Sequence, residues 1–518
     1  MEIEHHTSYN QDMAKHITKS RVLSGLRCSK RLWLQTYQPE LAKPSSTSQL
    51  TIANGNEVGQ IARLSYPTGI LIEHIEQPDV AVQETRRLLH ECLDRPLFEA
   101  TFLYGGALVR ADILMPVDGG YRMVEVKSSG SVKDHHLTDC AIQLWVLEGA
   151  GIKVQQVCVA HVDTSFVYAG DGNYGQLLIE EDVTEQVREM LPDVPAWLIS
   201  HRDILTNPVP AIRMGSQCKP DCQFTEHCEA GLTEYPVSIL PNGRKVITDL
   251  QDAGIEDARD IPDGVLTNER HIRVWEATRA NQPFISQELK DELAKLPYPR
   301  FYLDFETINF VIPRWAGTRP HQQLPFQWSC HIERVGETLA HREFLDTSGN
   351  APMRAFAVSL IDAVESDGPI IVYGSFESTV IKGLIGFCPD LEDALNEILN
   401  RLVNLLPWLQ NHYYHPAMKG SWSIKAVLPT IAPHLDYSQL EDVQNGTLAQ
   451  LAYMDIINPE TAPEVREQKI KNLLKYCELD TKAMVEVVKV FSSNGYFQHR
   501  EVCNSAMAIP CDTMPSNF

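Results

Sequence analysis

Apolar and polar residues alternate through ALVRADILMPVDGGYRMVEVK, residues 107–127, and a period of two predicts two β-strands. Asp118-Gly119 between them is the signal of a two-residue hairpin turn. That turn sets Asp112 opposite Glu125, and it leaves Glu125 and Lys127 on one face, because side chains at i and i+2 of a strand point the same way. PRFYLDFETINF, 299–310, alternates likewise and places Tyr302, Asp304 and Glu306 together. GPIIVYGSFESTVIKGL, 368–384, predicts a buried strand, a turn with Ser375 as N-cap, and a helix carrying Glu377 in its first turn. LLKYCELDTKAMVEVV, 473–488, is helical in period, with Tyr476 and Asp480 at i, i+4 on one face. Residues 236–295 read as short helices broken by turn signals, a helical connector without a catalytic cluster.

Strands that alternate with helices make the class α/β, and 518 residues exceed what one core supports, so several domains are expected. No apolar run approaches the roughly 18 residues that span a bilayer, and MEIEHHTSYNQDMAKHITKS lacks an apolar secretory core. The expectation is a cytoplasmic protein with no membrane partner. A formal net charge of −23 repels nucleic acid at long range, so such a partner requires a local basic groove or bound metal ions. The 12 cysteines, without a secretory signal, point to thiols or metal ligands before disulfides.

Two carboxylates opposed on neighbouring strands destabilise the ladder unless a divalent cation lies between them. Asp112 and Glu125 are therefore candidate ligands, with Lys127 placed to polarise a scissile phosphate; a surface ion pair between Glu125 and Lys127 is the competing reading. Asp, a spacer, then Glu-x-Lys resembles the PD-(D/E)XK nucleases, the RecB-like branch in particular. The resemblance implies a restriction-endonuclease-like domain over 1–235, assigns Glu57 as an early acidic ligand, and makes Gln143 the start of a Gln-x-x-x-Tyr motif. Leu147 stands where that motif has Tyr.

CKPDCQFTEHC supplies Cys218, Cys222 and Cys228, and SRVLSGLRCSKRLWL supplies Cys28 beside Arg27, Lys30 and Arg31. Four thiolates suit zinc or a four-iron four-sulfur cluster. The RecB-like resemblance implies the 4Fe-4S cluster. Its usual triplet is Cys-x-x-Cys-x5-Cys, and a first gap of three residues here keeps zinc open. The three basic residues are candidate phosphate contacts.

Asp304 and Glu306, then Glu377, then Tyr476 and Asp480 resemble, in order, the DEDD exonucleases of the DnaQ-like, RNase H-like fold, tyrosine subtype. That likeness implies an RNase H-like domain over 296–518, carboxylates holding two Mg²⁺ or Mn²⁺ ions, and Tyr476 orienting the attacking water. The family's second motif usually has Asp preceded by Asn; here Glu377 follows Gly374. In HYYHPAMKGSWSIKAVLP, Lys425 or His415 is placed to touch phosphate or sugar and Trp422 to stack a base. The whole chain resembles a bacterial family of RecB-type nucleases, which implies a two-site nuclease acting on nucleic acid, DNA ahead of RNA. A helicase or other repair or defence proteins are the implied partners. An RNA-processing enzyme using only the second site, and a non-catalytic nucleic-acid-binding scaffold, remain as alternatives.

Overall fold

A computed structural model describes residues 16–492, apart from 44, 74–76, 216–217, 219–221, 366, 436, 438–439 and 441. The chain forms two compact units, Met1–Gly231 with Asn309–Gln322, and Leu232–Ile308 with Gln323–Phe518. Both are mixed α/β. Among the described residues no helix is long and apolar enough to cross a membrane.

Unit 1 contains strands β1 (Ile17–Thr18), β2 (Ile70–Leu71), β3 (Leu97–Tyr104), β4 (Ala107–Val117), β5 (Gly120–Lys127), β6 (Val154–Val162) and β7 (Leu178–Asp182). Its helices are α1 (Lys19–Arg27), α2 (Ser29–Tyr37), α3 (Ser46–Leu64), α4 (Pro78–Glu91), α5 (Asp134–Gly149), α6 (Thr184–Met190), α7 (Val194–Thr206) and α8 (Thr225–Glu229). The sheet runs β2-β3-β4-β5-β6-β7, with β1 alongside β4. The β4–β5 hairpin has the register that its Asp118-Gly119 turn predicts: Val117 pairs with Gly120 and Ile113 with Val124. Parallel β5 and β6 are joined through α5, a βαβ crossover. Alternation sorts the two faces: Leu114 and Met123 bury with Ile142 of α5, whereas Ile113 and Val124 bury with Ala62 of α3.

The short β1 takes the stretch of β4 at Ala107–Leu108, beyond the part that β5 covers. Lys19 therefore starts α1 beside the end of β5. On the other side of β4, the β3 pairing passes from Phe98–Ile113 to Ala100–Ala111, and Glu99 between them adopts φ +57°. A non-glycine residue in this left-handed region is strained, and functional sites are where such strain concentrates.

Unit 2 contains α9 (Arg244–Asp252), α10 (Glu269–Ala280), β8 (Phe284–Ile285), α11 (Gln287–Ala294), β9 (Arg300–Ile308), β10 (Leu324–Glu333), β11 (Ala340–Leu345) and α12 (Met353–Ala363). Then follow β12 (Ile370–Val372), α13 (Phe376–Phe387), α14 (Glu392–Asn400), β13 (Leu402–Asn404), α15 (Leu405–His412), β14 (Tyr413–Tyr414), α16 (Ile424–Ile431), α17 (Gly446–Ile457) and α18 (Pro463–Ser492). The main sheet is ordered β11-β10-β9-β12-β13, antiparallel as far as β9 and parallel beyond it. Tyr302 of β9 buries with Met484 of α18, so Asp304 and Glu306, two and four residues on, face that helix. Phe305 on the opposite face meets Phe356 of α12 edge to face.

Two expected boundaries move. Residues 236–295 are no separate connector: Val237, Leu240, Ile247, Leu250 and Val274 share one buried core with Tyr302, Ile371 and Phe491. Short amphipathic helices have no core of their own, and this one covers their apolar faces. Residues 309–322, expected within the C-terminal domain, fold with unit 1, where Val311 and Ile312 bury against Val58, Val162 and Leu177. Backbone bonds hold that segment, from Tyr168 N–H to the Thr318 carbonyl (3.0 Å) and from Gly317 N–H to the Tyr168 carbonyl (2.8 Å).

Gly420 (φ +79°) shows how closely the 236–295 segment packs, since a Cβ there would lie 1.7 Å from the Ile239 carbonyl oxygen. Gly420→Ala should lower the stability of unit 2 by ~1–3 kcal/mol, read as an earlier urea midpoint for the transition that reports this unit. An unchanged midpoint would contradict the packing of this segment into unit 2.

Candidate metal centres

The first centre lies in unit 1, where β4, β5 and α5 converge. Asp112 Oδ2 accepts the Val126 amide at 2.7 Å, so a side chain replaces the ladder just past the Ile113–Val124 pair. Glu125 is buried and fully engaged. Its Oε1 receives Lys127 Nζ (2.6 Å) and Lys19 Nζ (2.9 Å), and its Oε2 receives Gln143 Nε2 (2.6 Å). Asp139, one helical turn before Gln143, binds the same two ammoniums at 2.6 and 2.9 Å. Burial raises a carboxyl pKa, yet the pull of Lys19 and Lys127 holds Glu125 well below the usual carboxylate range. Asp112 goes the other way: burial, then the charge of Glu125, pushes it up to about 8. Burial opposes the charge on Lys127, but Glu125 and Asp139 keep its pKa above the ordinary value.

Beside this cluster a cleft of about 410 Å³ is lined by Gly55, Gly59, Arg63, Glu99, Asp112 and Glu125 among others. Gly55, Gly59 and Arg63 recur at i, i+4 and i+8 of α3. Glu57 lies about half a turn away and faces Arg314 at 3.9 Å, so it does not join the expected ligand set. The acidic group that does line the cleft is Glu99.

In unit 2, the ligating atoms of Asp304, Glu306 and Asp480 all lie within 4.8 Å of one another. Parallel pairing of β12 with β9 brings the start of α13 to the same end of the sheet and delivers Glu377, which is buried with its Oε2 lacking a hydrogen-bond partner. Gly374 in the intervening turn has φ +126°, which suits glycine, and its amide donates to Asn404 Oδ1 at 2.9 Å. Ser375 occupies the N-cap position without a side-chain cap bond. Lys425 Nζ donates to Tyr476 Oη (2.7 Å), Tyr437 hydroxyl donates to Asp480 Oδ1, and the Cys477 thiol reaches Asp304 Oδ2 at 3.4 Å.

Burial and mutual repulsion raise the whole set. Glu306 is pushed up to about 8 by burial and by Asp480, and Glu377 to about 7 by burial. Asp480 reaches about 6, restrained by the Tyr437 hydrogen bond. Asp304 is raised as well, by burial and then by Asp480 and Glu306. These oxygens, one of them orphaned, make a hard donor set that fits Mg²⁺ or Mn²⁺. Two of the flanking residues fall elsewhere. Trp422 is buried with its indole N–H bonded to the Tyr413 carbonyl (2.8 Å), so it packs in the core and offers no face to a base. His415 caps a short turn, its Nδ1 accepting the Ala417 amide at 3.1 Å.

Cys28, Cys218, Cys222 and Cys228 line one small cavity of about 40 Å³ together with Arg27, Lys30 and Arg31. Cys28 also caps α2, its sulfur accepting the Arg31 amide at 3.4 Å. Burial raises the Cys228 thiol pKa. Cys140 and Cys158 are buried, and Cys92 packs at the edge of the unit 1 core.

Lys19, Glu99 and Asp139 carry the first centre alongside the expected residues, and sequence reasoning passed over all three. Asp139 was within reach, at i−4 from Gln143 on one helix face. Lys19 and Glu99 carry no local signal, since strand order and backbone conformation bring them in.

Residues 301–423 match a family described as a domain of unknown function, DUF2779. An uncharacterized protein of Ureaplasma parvum serovar 3, UU173, is 28% identical over 235 residues, 40% of this chain. The match covers 33% of that protein's length.

The raised carboxyls set a pH dependence. Glu306 and Glu377 retain protons in the folded, metal-free protein that an unfolded chain, with ordinary values near 4.5, has released. Folding then takes up protons, so stability falls as pH rises from about 4.5 through about 8. Melting temperatures in chelator should decline over that window, Mn²⁺ should flatten the decline, and Glu306→Gln should show a shallower one. Parallel profiles for wild type and Glu306→Gln would clear the carboxylate cluster of responsibility.

Proposed function

We propose that the chain is a divalent-metal-dependent nuclease with two hydrolytic sites. Unit 1 is read as a restriction-endonuclease-like PD-(D/E)XK domain and unit 2 as an RNase H-like DEDD 3′-to-5′ exonuclease. The observation that carries the reading is the buried convergence of Asp304, Glu306 and Asp480 within 4.8 Å, with the unpartnered Glu377 oxygen beside them. Carboxyls this close hold protons when metal-free, and a multivalent cation can take the place of those protons. Mg²⁺ or Mn²⁺ held there would activate water and stabilise the leaving 3′ oxygen of a phosphodiester. Tyr476, its hydroxyl receiving Lys425 Nζ and hydrogen-bonding Asp480, would orient the attacking water. Lys425 also donates to the Gln444 carbonyl (2.7 Å), which fixes the ammonium in place.

In unit 1, Asp112, Glu125 and, in place of Glu57, Glu99 would hold the cation, with Lys127 facing the phosphate and Gln143 and Asp139 holding Glu125 and the lysines in position. The four cysteines fit a 4Fe-4S cluster, which would cross-link α2 to the segment around α8. DNA is the favoured substrate and repair or defence against foreign DNA in the cytoplasm the favoured setting.

On a 5′-labelled single strand with Mn²⁺, Asp304→Ala should abolish stepwise 3′ shortening, and Tyr476→Phe should slow it ~10²-fold without loss of metal. Glu125→Ala should leave that ladder intact. A ladder that survives Asp304→Ala would sink the second site. In the Asp304→Ala background, Lys127→Ala should remove the remaining cleavage while Mn²⁺ still binds.

Anaerobically purified protein should be brown, with iron and acid-labile sulfide each about four per chain. Colourless protein with about one zinc would assign the cysteines to zinc instead.

A further inference from the structure

We propose that unit 2 has a separate transition-metal site, formed by His331, His341 and Glu478, that takes Zn²⁺ or a similar borderline ion. It does not depend on the nuclease reading. His331 and His341 are directly opposed partners on antiparallel β10 and β11, with ring centroids 4.6 Å apart. Glu478 comes from α18, and the ligating atoms of the three residues all lie within 4.8 Å of one another. Two imidazoles and a carboxylate form the donor set of three-ligand zinc sites, whereas the all-oxygen Asp304, Glu306 and Asp480 suit Mg²⁺ or Mn²⁺. Softness of the donors separates the two sites within one unit.

The surrounding hydroxyls prepare both rings for a metal. Thr481 Oγ1 donates to the Glu478 carbonyl at 2.9 Å, which uses its only proton. It must then accept from its other neighbours, Ser329 Oγ at 2.9 Å and His331 Nδ1 at 2.8 Å. Ser329, having given its proton to Thr481, accepts from His341 Nε2 at 2.8 Å. The chain of donors therefore puts the proton on Nδ1 of His331 and on Nε2 of His341. Each ring keeps a bare nitrogen, Nε2 of His331 and Nδ1 of His341, for a cation. Hydrogen bonds that fix the tautomer and orientation of a ligating histidine are the usual second layer of a zinc site. His331 is buried and Glu478 is exposed, so an ion reaches the site from solvent and retains room for water. Once bound, it would tie the outer strand β11 and its neighbour β10 to α18, the helix that carries Tyr476 and Asp480.

The test uses the full-length protein, stripped of exchangeable ions and held in excess Mg²⁺ to occupy the carboxylate sites. Co²⁺ is titrated as a spectroscopic probe and Zn²⁺ as its competitor. The cysteine cavity is common to all variants, so differences between them report the histidine site. Wild type should bind one equivalent of Co²⁺ more than His341→Ala and Glu478→Gln, with a visible ligand-field band that Zn²⁺ displaces. Ser329→Ala, which removes the hydroxyl that holds His341 and bonds Thr481 while leaving all three ligands in place, should bind ~10-fold more weakly. Melting of the metal-free variants separates a folding defect from a lost ligand, and the exposed Glu478→Gln is the variant that leaves the core intact. Equal Co²⁺ stoichiometry and spectra in wild type, His341→Ala and Glu478→Gln would overturn the proposal.

Discussion

Carboxylates buried against one another repel, and how that repulsion is balanced organises both units. Unit 1 balances it with protein cations: Lys19 and Lys127 each bridge Glu125 and Asp139, and Gln143 takes the remaining Glu125 oxygen. Unit 2 has few protein cations at its cluster. Lys425 acts through the Tyr476 hydroxyl, and the direct partners are the phenols of Tyr437 and Tyr476 on Asp480 and a thiol on Asp304. The consequence appears in the carboxyls themselves, for Glu125 is held strongly acidic while Asp304 and Glu306 are driven toward the protonated form. A cluster that must hold protons to remain compact is one where a divalent cation replaces those protons at little structural cost.

Much of this arrangement was legible in the sequence because it follows period and turn chemistry. Asp118-Gly119 sets a register in which Glu125 and Lys127 share a face, and alternation along β9 turns Asp304 and Glu306 toward α18. The i, i+4 spacing of Tyr476 and Asp480 places both on the stripe of α18 that meets the sheet. What escaped depends on the third dimension. Lys19 reaches Glu125 only because β1 fills the part of β4 that β5 leaves uncovered, which no local pattern encodes. Glu99 enters the cleft through a positive φ that its residue type does not announce. Glu57 lies off the cleft for a simpler reason: the glycine-lined face of α3 is the one that borders it.

The cysteines show a similar division between chemistry and geometry. Their identity and number admit zinc or an iron-sulfur cluster, and all four do line one cavity. Four thiolates on one zinc, each at about 2.3 Å, would stand roughly 3.8 Å apart in a tetrahedron. The fold supplies the proximity: Cys28 at the start of α2 and the three cysteines around α8 reach one cavity although 190 or more positions separate them along the chain.

The net charge of −23 bears on how a nuclease reading works physically. Long-range repulsion of a polyanion by the protein falls off within a Debye length, roughly 8 Å at physiological ionic strength, so recognition is decided by charge placed close to the phosphate. In unit 1 such charge is built into the chain, in Lys127 at the cluster and Arg63 at the cleft. Unit 2 instead presents a cluster of carboxyls that offers phosphate little positive charge until it is metallated. Under this reading metal binding at unit 2 would act twice, supplying the hydrolytic chemistry and the positive charge that the substrate phosphate must meet. Under the same reading the first centre would depend on metal for its chemistry more than for attraction, and the two sites should therefore differ in how steeply substrate affinity, as distinct from turnover, follows divalent-ion concentration.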